Sequence, residues 1–479
     1  MRRADPDPRD SRNLLRPSMD FAASSFDYVN QNTVHPVGLA ALAIACLLVL
    51  FGPIRAIPLV LVGLAVYIPS AQRLVLAGAD FAFLRIGIMC ALLRLATGGR
   101  LFAFRIGWID GLVALGTLSK IAFMPVVTGQ AGILIQQIGS AFDTLGMYLV
   151  ARAAIRSIED ISWLASRALV VCLPVAAVFA IEKSTGRNML SVFGGIPLMT
   201  EVREGRIRCQ GAFAHAILAG CYFAALLPFW LASWRAPRFG RTTALGGFLL
   251  AATIVASTAS STPVAAMMLV LLAFAVYPFW MHLRWVWMAA LGLALLLHFV
   301  MRHGVWHLLA RIDLVGGSTG YHRYHLIEKA IAHLDEWWLM GTLSTRHWGW
   351  GLQDVTNQYI LEGVRGGIWA MLALIVAIVL SLRACGFWLR RLPQRSPAHL
   401  AVYAVGVTVF VQAAIFLAVS YFGQTIMMWS LTIAMGAFLS EAMSVETARD
   451  RAKAAARANA PGARLPAAQP VGAARTGSV

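Results

Sequence analysis

The stretch FAHAILAGCYFAALLPFWLAS, residues 213–233, contains no Asp, Glu, Lys or Arg and would be apolar on nearly every face of a helix. A run of about 20 such residues is long enough to cross the hydrocarbon core of a bilayer. In a soluble domain such a helix must be buried completely, and a chain of 479 residues cannot do this for many helices. The stretch therefore predicts a membrane span.

Similar apolar runs, broken by Arg, Pro or Gly, recur along most of the chain. They lie at 37–51, 56–70, 81–96, 108–127, 131–151, 163–182, 213–233, 243–258, 263–281, 284–301, 360–384, 399–420 and 422–441. The chain is 59% hydrophobic and 13% charged, with a mean hydropathy of +0.70, whereas soluble domains are about a quarter charged. We therefore predict an all-α, polytopic integral membrane protein with about 12–13 transmembrane helices.

Both ends of the chain lack this apolar pattern. Residues 1–35 mix Arg with Asp and contain no short apolar core before a cleavage site, so we expect a polar N-terminal segment without a cleaved signal peptide. From residue 445 the chain is rich in Ala, Arg and Pro, which predicts a disordered cytoplasmic tail over 445–479. The predicted polytopic membrane domain is 36–444, and it shows no internal repeat.

Basic residues in short loops predict the orientation, because such loops are enriched on the cytoplasmic side. Five basic clusters lie an even number of predicted spans apart; they begin at Arg94, Arg152, Arg235, Arg383 and Arg449. If these are cytoplasmic, two long loops, 183–212 and 302–358, are extracytoplasmic, and the second contains short amphipathic helices. Both loops are basic, against the usual bias, which indicates an anionic partner outside.

The net charge of +18 is spread between the apolar runs rather than gathered in one soluble domain. This distribution favours membrane lipid or an anionic lipid-linked substrate as the partner, and we expect no nucleic acid.

The first outer loop ends in Arg-Cys-Gln-Gly-Ala-Phe-Ala-His, residues 208–215, immediately before the quoted span. An arginine at the mouth of a helix can hold two oxygens of a phosphate with its planar fork. A snorkelling arginine at a helix end explains the position equally well.

The second outer loop contains Arg323-Tyr-His325, followed by apolar residues at helical spacing from Leu326 to Leu339. We expect an amphipathic helix on the membrane surface, with Arg323 at or just before its start, where a helix N-terminus and a guanidinium together attract anions. The alternative is a surface helix with solvated charges.

The order of these features resembles the O-antigen polymerase and O-antigen ligase superfamily of bacterial envelope polysaccharide assembly. The matching pieces are Arg208, Gly211, Phe213 and His215; Arg323 with Gly341; the stretch from Asn357 and Tyr359 to Gly367; and the turn Ser260-Ser-Thr-Pro263. The resemblance covers roughly residues 80–440, and the order and spacing of its motifs are more specific than any one of them.

The resemblance implies a metal-independent, inverting glycosyltransferase without a cofactor. It would polymerise undecaprenyl-pyrophosphate-linked oligosaccharide repeat units at the outer face of the bacterial inner membrane, with a chain-length-regulating co-polymerase as a possible partner. Ligases of the superfamily typically have a histidine before the late-loop Asn, where this chain has Thr356, which cannot act as a base. This favours the exopolysaccharide-polymerase-like branch; an O-antigen ligase and a lipid-linked oligosaccharide flippase remain as alternatives.

The catalytic candidates are Arg208 and Arg323, which would stabilise the pyrophosphate leaving group, and His325 as a base for the acceptor hydroxyl. Asp335, Glu336 and His347 are other candidates for the base. The substrate-binding candidates are Arg206, Arg311, His215, Asn357 and Tyr359. For Asn357 and Tyr359 the alternative is an ordinary helix-entry role.

Two histidine pairs, His303 with His307 and His322 with His325, have helical spacing, but no third ligand has a matching position, so we predict no metal site. Lys120 and Asp143 lie inside apolar runs. They indicate either a transport path or ion pairs between helices.

Overall fold

The computed structural model describes residues 32–76, 79–300 and 320–458. Helices make up 74% of the structure, and the extended segments form two short β-hairpins, which confirms the predicted all-α class. The predicted N-terminal polar segment up to residue 31, the tail from 459 and the candidate Arg311 lie outside the described residues.

The described helices follow one another along the chain with short connections. They are α1 (Pro36–Phe51), α2 (Ile57–Tyr67), α3 (Phe83–Thr97), α4 (Trp108–Thr128), α5 (Ala131–Ala154), α6 (Ile158–Thr185), α7 (Ala216–Ala232), α8 (Gly240–Ser257), α9 (Ser261–Ala275), α10 (Leu283–Val300), α11 (Gly320–Ala332), α12 (Leu334–Trp337), α13 (Gln358–Leu389), α14 (Pro397–Ile415) and α15 (Gln424–Ala458). The antiparallel strands are β1 (Arg73–Leu76) with β2 (Ala79–Ala82), and β3 (Val202–Arg203) with β4 (Arg206–Ile207).

Every apolar run predicted from the sequence falls on one of these helices. Six helices in the described part of the chain are long and apolar enough to cross a membrane: Trp108–Thr128, Ile158–Thr185, Ala216–Arg235, Gln358–Leu389, Pro397–Ile415 and Gln424–Lys453. Three shorter apolar helices are Pro36–Phe51, Ile54–Tyr67 and Ser261–Ala275. The chain is therefore a multi-pass α-helical membrane protein, while the total of 12–13 spans stays a prediction.

Helix α7, which contains most of the stretch that opened the analysis of the sequence, is the central helix of the bundle. Of its membrane-length window 83% is buried, against 17% for α4, and it packs against α8, α9 and α14. At Gly220 of α7, the ring of Pro263 leaves no room for a Cβ. Small residues of this kind let two helix backbones approach closely without lipid between them.

The charged residues that the sequence places inside apolar runs pair with one another. Lys120 Nζ lies 2.8 Å from Glu362 Oε2, which joins α4 to α13. Arg85 binds Asp143 with two hydrogen bonds of 2.8 and 2.7 Å, which joins α3 to α5. Ion pairing between helices, rather than a transport path, accounts for these groups.

Helix α13 is broken after its second turn. The φ/ψ angles leave the helical region at Gly366 (−141°, 19°) and Gly367 (66°, −174°). The segment after α12 fills the break, because Ile368 N donates to Trp338 O at 2.7 Å and Thr342 N donates to Val364 O at 2.9 Å. The freed backbone groups are thus satisfied by protein, as helix breaks in a membrane require.

The last helix continues beyond the membrane domain predicted from the sequence. Residues 445–458 belong to α15, so the expected disorder is wrong for this part of the tail. The stretch buries little apolar surface, but it extends a long helix that supplies the nucleus, and Ala has the highest helix propensity. Arg391 also holds it, through Asp450 at 2.6 Å.

Replacing Gly367 by Ala should destabilise the protein. A Cβ there would collide with the carbonyl oxygen of Leu339, and the backbone conformation is one that costs other residues about 1–3 kcal/mol. Gly386 lies in the same helix with open space around it, so Gly386→Ala is the matched control and should be neutral or stabilising. Thermal unfolding in detergent measures both, and equal unfolding midpoints would contradict the role given to the break.

Candidate functional site

The loop between α6 and α7 brings Arg208 to the mouth of the central helix. The β3–β4 hairpin turns at Glu204 and Gly205, both with positive φ, and leaves Arg206 exposed at its start of β4. Immediately after the hairpin, Arg208 N donates to Glu201 O at 2.9 Å, which fixes the backbone. The Arg208 side chain is 5% exposed, so this arginine is buried rather than snorkelling into water.

The guanidinium of Arg208 has two partners. Nη1 lies 3.2 Å from both carboxylate oxygens of Glu201, and Nη2 donates to Ser260 Oγ at 3.0 Å. Ser260 belongs to the turn between α8 and α9. The first predicted arginine therefore rests on the hydroxyl-rich turn that the sequence had singled out.

Arg323 reaches the same turn from the other side. Its Nη2 donates to Thr262 Oγ1 at 3.1 Å, and its Nε donates to Ala418 O at 3.1 Å. No carboxylate of the described residues lies within ion-pair distance of it, and burial lowers the pKa of its guanidinium. Arg323 lies inside α11, which is described from Gly320, rather than at or before the start of the helix as predicted.

Glu182, near the end of α6, organises the loop and is a residue that the sequence analysis did not single out. Its Oε1 accepts from Gln210 N and Thr200 Oγ1, and its Oε2 accepts from Gly211 N, each at 3.0 Å. The side chain is completely buried. A carboxylate closing an apolar run, directly before a loop with a motif, is the signal that would have identified it.

His215 is the N-cap residue of α7. Its Nδ1 accepts from Ile217 N at 3.2 Å, so the hydrogen of the neutral ring is on Nε2. Burial lowers its pKa to about 4, and the charge of Arg208 lowers it further in the same direction. At neutral pH this residue can therefore donate a hydrogen bond to an anion but cannot act as a cation.

His325 is not brought together with the arginine pair. Residues two apart on a helix point about 200° away from each other, and His325 accordingly faces away from Arg323. Its Nδ1 lies 3.7 Å from Glu328 Oε2, and its ring stacks on Tyr321 at 5.9 Å. The expectation that it would approach Arg323 is wrong for this arrangement of the helix.

Another histidine of the same loop has a carboxylate partner. His347 Nε2 lies 2.8 Å from Glu336 Oε2, which also accepts from Trp348 Nε1 at 3.0 Å. Partial burial raises the pKa of Glu336, but the hydrogen bonds from Trp348 and His347 outweigh it and hold the pKa below its usual value. The ionised carboxylate orients the imidazole and increases its basicity.

Asn357 and Tyr359 have structural partners at the start of α13. Asn357 Oδ1 caps the helix by accepting from Tyr359 N and Ile360 N at 3.0 and 3.2 Å, while its Nδ2 donates to Leu417 O at 3.2 Å. Tyr359 OH donates to Ala413 O at 2.8 Å. Both residues tie α13 to α14 and to the loop after it, so they position the site through this loop.

The loop between α14 and α15, residues 416–423, links the pieces of the site. Ala418 O accepts from Arg323, and the neighbouring Leu417 O accepts from Asn357. At its end Gln424 Nε2 donates to Ala212 O at 2.9 Å, in the loop that carries Arg208. Segments from four regions of the sequence therefore meet around the two arginines.

The site has the chemistry of an anion-binding centre. In the described residues, no group of three or more His, Cys, Asp or Glu side chains is arranged to hold a metal ion. Two guanidinium groups meet at the Ser260–Thr262 turn, and only Arg208 has a carboxylate partner. Such an arrangement can bind phosphate oxygens with charge-assisted hydrogen bonds.

In comparisons with known proteins, no protein-family model and no curated protein matches the chain. A function for it must therefore be inferred from its residues and their geometry.

Replacing Glu182 by Gln should destabilise the protein by about 1–3 kcal/mol, because the amide NH₂ would face a backbone N–H in a buried place. Glu159→Gln is the matched control, since Glu159 is exposed in the first turn of the same helix. Thermal unfolding in detergent compares them. Equal midpoints for the two variants would show that the carboxylate does not hold the loop.

His215 should make the protein less stable in acid. The unfolded ring binds a proton below its ordinary pKa of 6.5, whereas the folded ring stays neutral down to about 4, so stability falls as the pH decreases through this window. His215→Asn keeps a capping acceptor but does not titrate. Its unfolding midpoint should drop less than that of the wild type between pH 7 and pH 5, as measured by thermal unfolding. An unchanged drop would contradict the burial of a neutral ring.

Proposed function

We propose that the chain is a glycosyltransferase that polymerises undecaprenyl-pyrophosphate-linked oligosaccharide repeat units. The observation that carries this proposal is the meeting of Arg208 and Arg323 at one turn beside the central membrane helix. A lipid pyrophosphate is the anion that matches both the charge of this site and its position at the end of a helix in a membrane protein.

Charge development at the donor explains why two arginines would be needed. The acceptor hydroxyl attacks the anomeric carbon as the bond from that carbon to the pyrophosphate oxygen breaks, which inverts the configuration. Negative charge grows on the departing pyrophosphate, and fixed guanidinium groups stabilise it without a metal ion. Arg323 fits this role well, because no carboxylate of the described residues neutralises it.

A base is needed to accept the proton of the attacking hydroxyl. Among the candidates, His347 is supported by its contact with Glu336, whereas His325 faces away from Arg323. Thr356 lies directly before Asn357, and its hydroxyl is buried without a partner among the described residues. A threonine hydroxyl cannot take up a proton near neutral pH, which favours polymerase over ligase.

The proposed location is the bacterial inner membrane, with about 12–13 spans and with the loops 183–212 and 302–358 on the outer side. The even spacing of the arginine clusters supports this orientation. Lipid-linked repeat units would then meet the two arginines at the outer face.

A flippase is less well supported than an enzyme. Lys120 and Asp143 are already paired with Glu362 and Arg85, so they offer no free charges along a path through the bundle. The break in α13 resembles the discontinuous helices of transporters, but its backbone groups are bonded to the chain itself.

Replacing Arg208 or Arg323 by Ala should reduce the formation of long chains by about 100-fold or more, the scale for loss of a donor to a developing charge. Lysine at either position should restore only part of the activity, because it keeps the charge and loses the planar fork. Arg346→Ala is the matched control, since Arg346 is an exposed arginine of the same late loop. The measurement is the size distribution of lipid-linked saccharides.

The expected pattern is single repeat units that still reach the outer face but do not grow. Units trapped inside the cell would indicate a flippase and contradict the proposal. Polymerised chains that accumulate on the lipid without transfer to an acceptor would indicate a ligase. Full activity of the lysine variants would contradict phosphate recognition by the fork.

A further inference from the structure

One face of the broken helix α13 is exposed along its whole membrane length. The exposed large side chains on this face are Trp369, Leu372, Val376 and Val379, at helical spacing, with exposed arginines at the two ends, Arg365 and Arg383. We call these four apolar residues the α13 stripe. In a membrane protein such a face is covered by lipid chains.

The two arginines mark the width of the bilayer on this helix. Arg365 and Arg383 are separated by about 27 Å at roughly 1.5 Å per residue, close to the hydrocarbon thickness of about 30 Å. Arg383 belongs to a cluster predicted to be cytoplasmic. Arg365 is therefore expected at the headgroup level of the opposite leaflet, where lipid phosphates lie.

The charge of Arg365 has no acceptor within the described part of the chain. The nearest opposite charge is Glu362, one turn earlier. Both oxygens of Glu362 are occupied, since Oε2 pairs with Lys120 and Oε1 accepts from Gln358 Nε2, each at 2.8 Å. The group of Lys120, Glu362 and Arg365 therefore carries one net positive charge. A cation in a membrane-spanning helix without a protein partner indicates an anionic ligand.

The backbone that carries Arg365 is fixed on both sides. The carbonyl of Val364 accepts from Thr342 N, and Ile368 N donates to Trp338 O, so the break in α13 cannot swing freely. Gly366 and Gly367 end the first half of the helix directly after Arg365. The guanidinium is thus presented at a defined point above the α13 stripe, which is the preorganisation that a binding site requires.

We propose that Arg365 and the α13 stripe form a lateral docking site for the lipid-linked pyrophosphate substrate, which reaches the catalytic arginines from the bilayer. The guanidinium holds the phosphate oxygens, and the polyprenyl chain lies along the stripe. This inference rests on the proposed function.

The position of the site on α13 favours the substrate over an ordinary phospholipid. The same helix begins at Asn357, which binds Leu417 O, and the next carbonyl, Ala418 O, accepts from Arg323. Arg365 is eight residues from this cap, or about two turns. A pyrophosphate released from Arg365 would therefore have only a short distance to travel to the arginine pair, with its lipid chain still in the membrane.

Binding of undecaprenyl pyrophosphate to the purified full-length chain in detergent, measured by native mass spectrometry, tests the proposal. Arg365→Gln should weaken binding by about tenfold or more, the range for a charge-assisted hydrogen bond. Arg383→Gln is the matched control, at the other end of the same stripe, and should bind as the wild type does. Arg365→Lys should bind more weakly than the wild type, because it loses the planar fork. A large excess of phosphatidylglycerol should not displace the ligand.

Two results would overturn the docking site and leave the proposed function intact. In the first, Arg365→Gln binds as tightly as the wild type while Arg323→Ala loses binding. In the second, phosphatidylglycerol displaces the ligand from the Arg365-dependent site, which would make it an ordinary lipid contact. If the wild type does not bind undecaprenyl pyrophosphate at all, the proposed function and the docking site both fail.

Discussion

The turn from Ser260 to Pro263 is the contact on which the rest of the site depends. Pro263 fills the space beside Gly220, so that α7 and α9 meet at backbone distance. Its hydroxyls accept from two arginines that are far apart in the sequence, Arg208 and Arg323. Removing these acceptors would leave buried donors without partners, which costs more than the hydrogen bonds themselves contribute. The turn thus fixes the packing of the central helices and the geometry of the cations together.

The irregular segments around the turn obey the same constraint. A backbone group that is buried near lipid without a partner costs several kcal/mol, so loops at this depth must be satisfied by protein. Glu182 serves two amides of the loop before α7, and Gln424 serves the carbonyl of Ala212. The segment after α12 fills the break in α13 in the same way. These contacts make the loops part of the rigid framework.

The distribution of charge follows from this framework. The acidic groups near the site are used for structure: Glu182 holds backbone amides, Glu201 pairs with Arg208 and Glu362 pairs with Lys120. Arg323 and Arg365 have no carboxylate within ion-pair distance among the described residues. The excess of positive charge therefore lies at the central turn and on the face of α13, and both positions suit a phosphate that arrives with a lipid chain attached.

The sequence by itself determined the helices, because membrane-length hydropathy is a local property, and it identified Arg208, Arg323 and the Ser260 turn as separate features. It gave no sign of the contacts between them. It also failed at His325, whose direction depends on helix phase, and at 445–458, where a preceding helix outweighs the lack of apolar residues. Only the tertiary structure decided which distant acceptors the arginines share, because hydrogen bonding depends on positions in space that hydropathy does not encode.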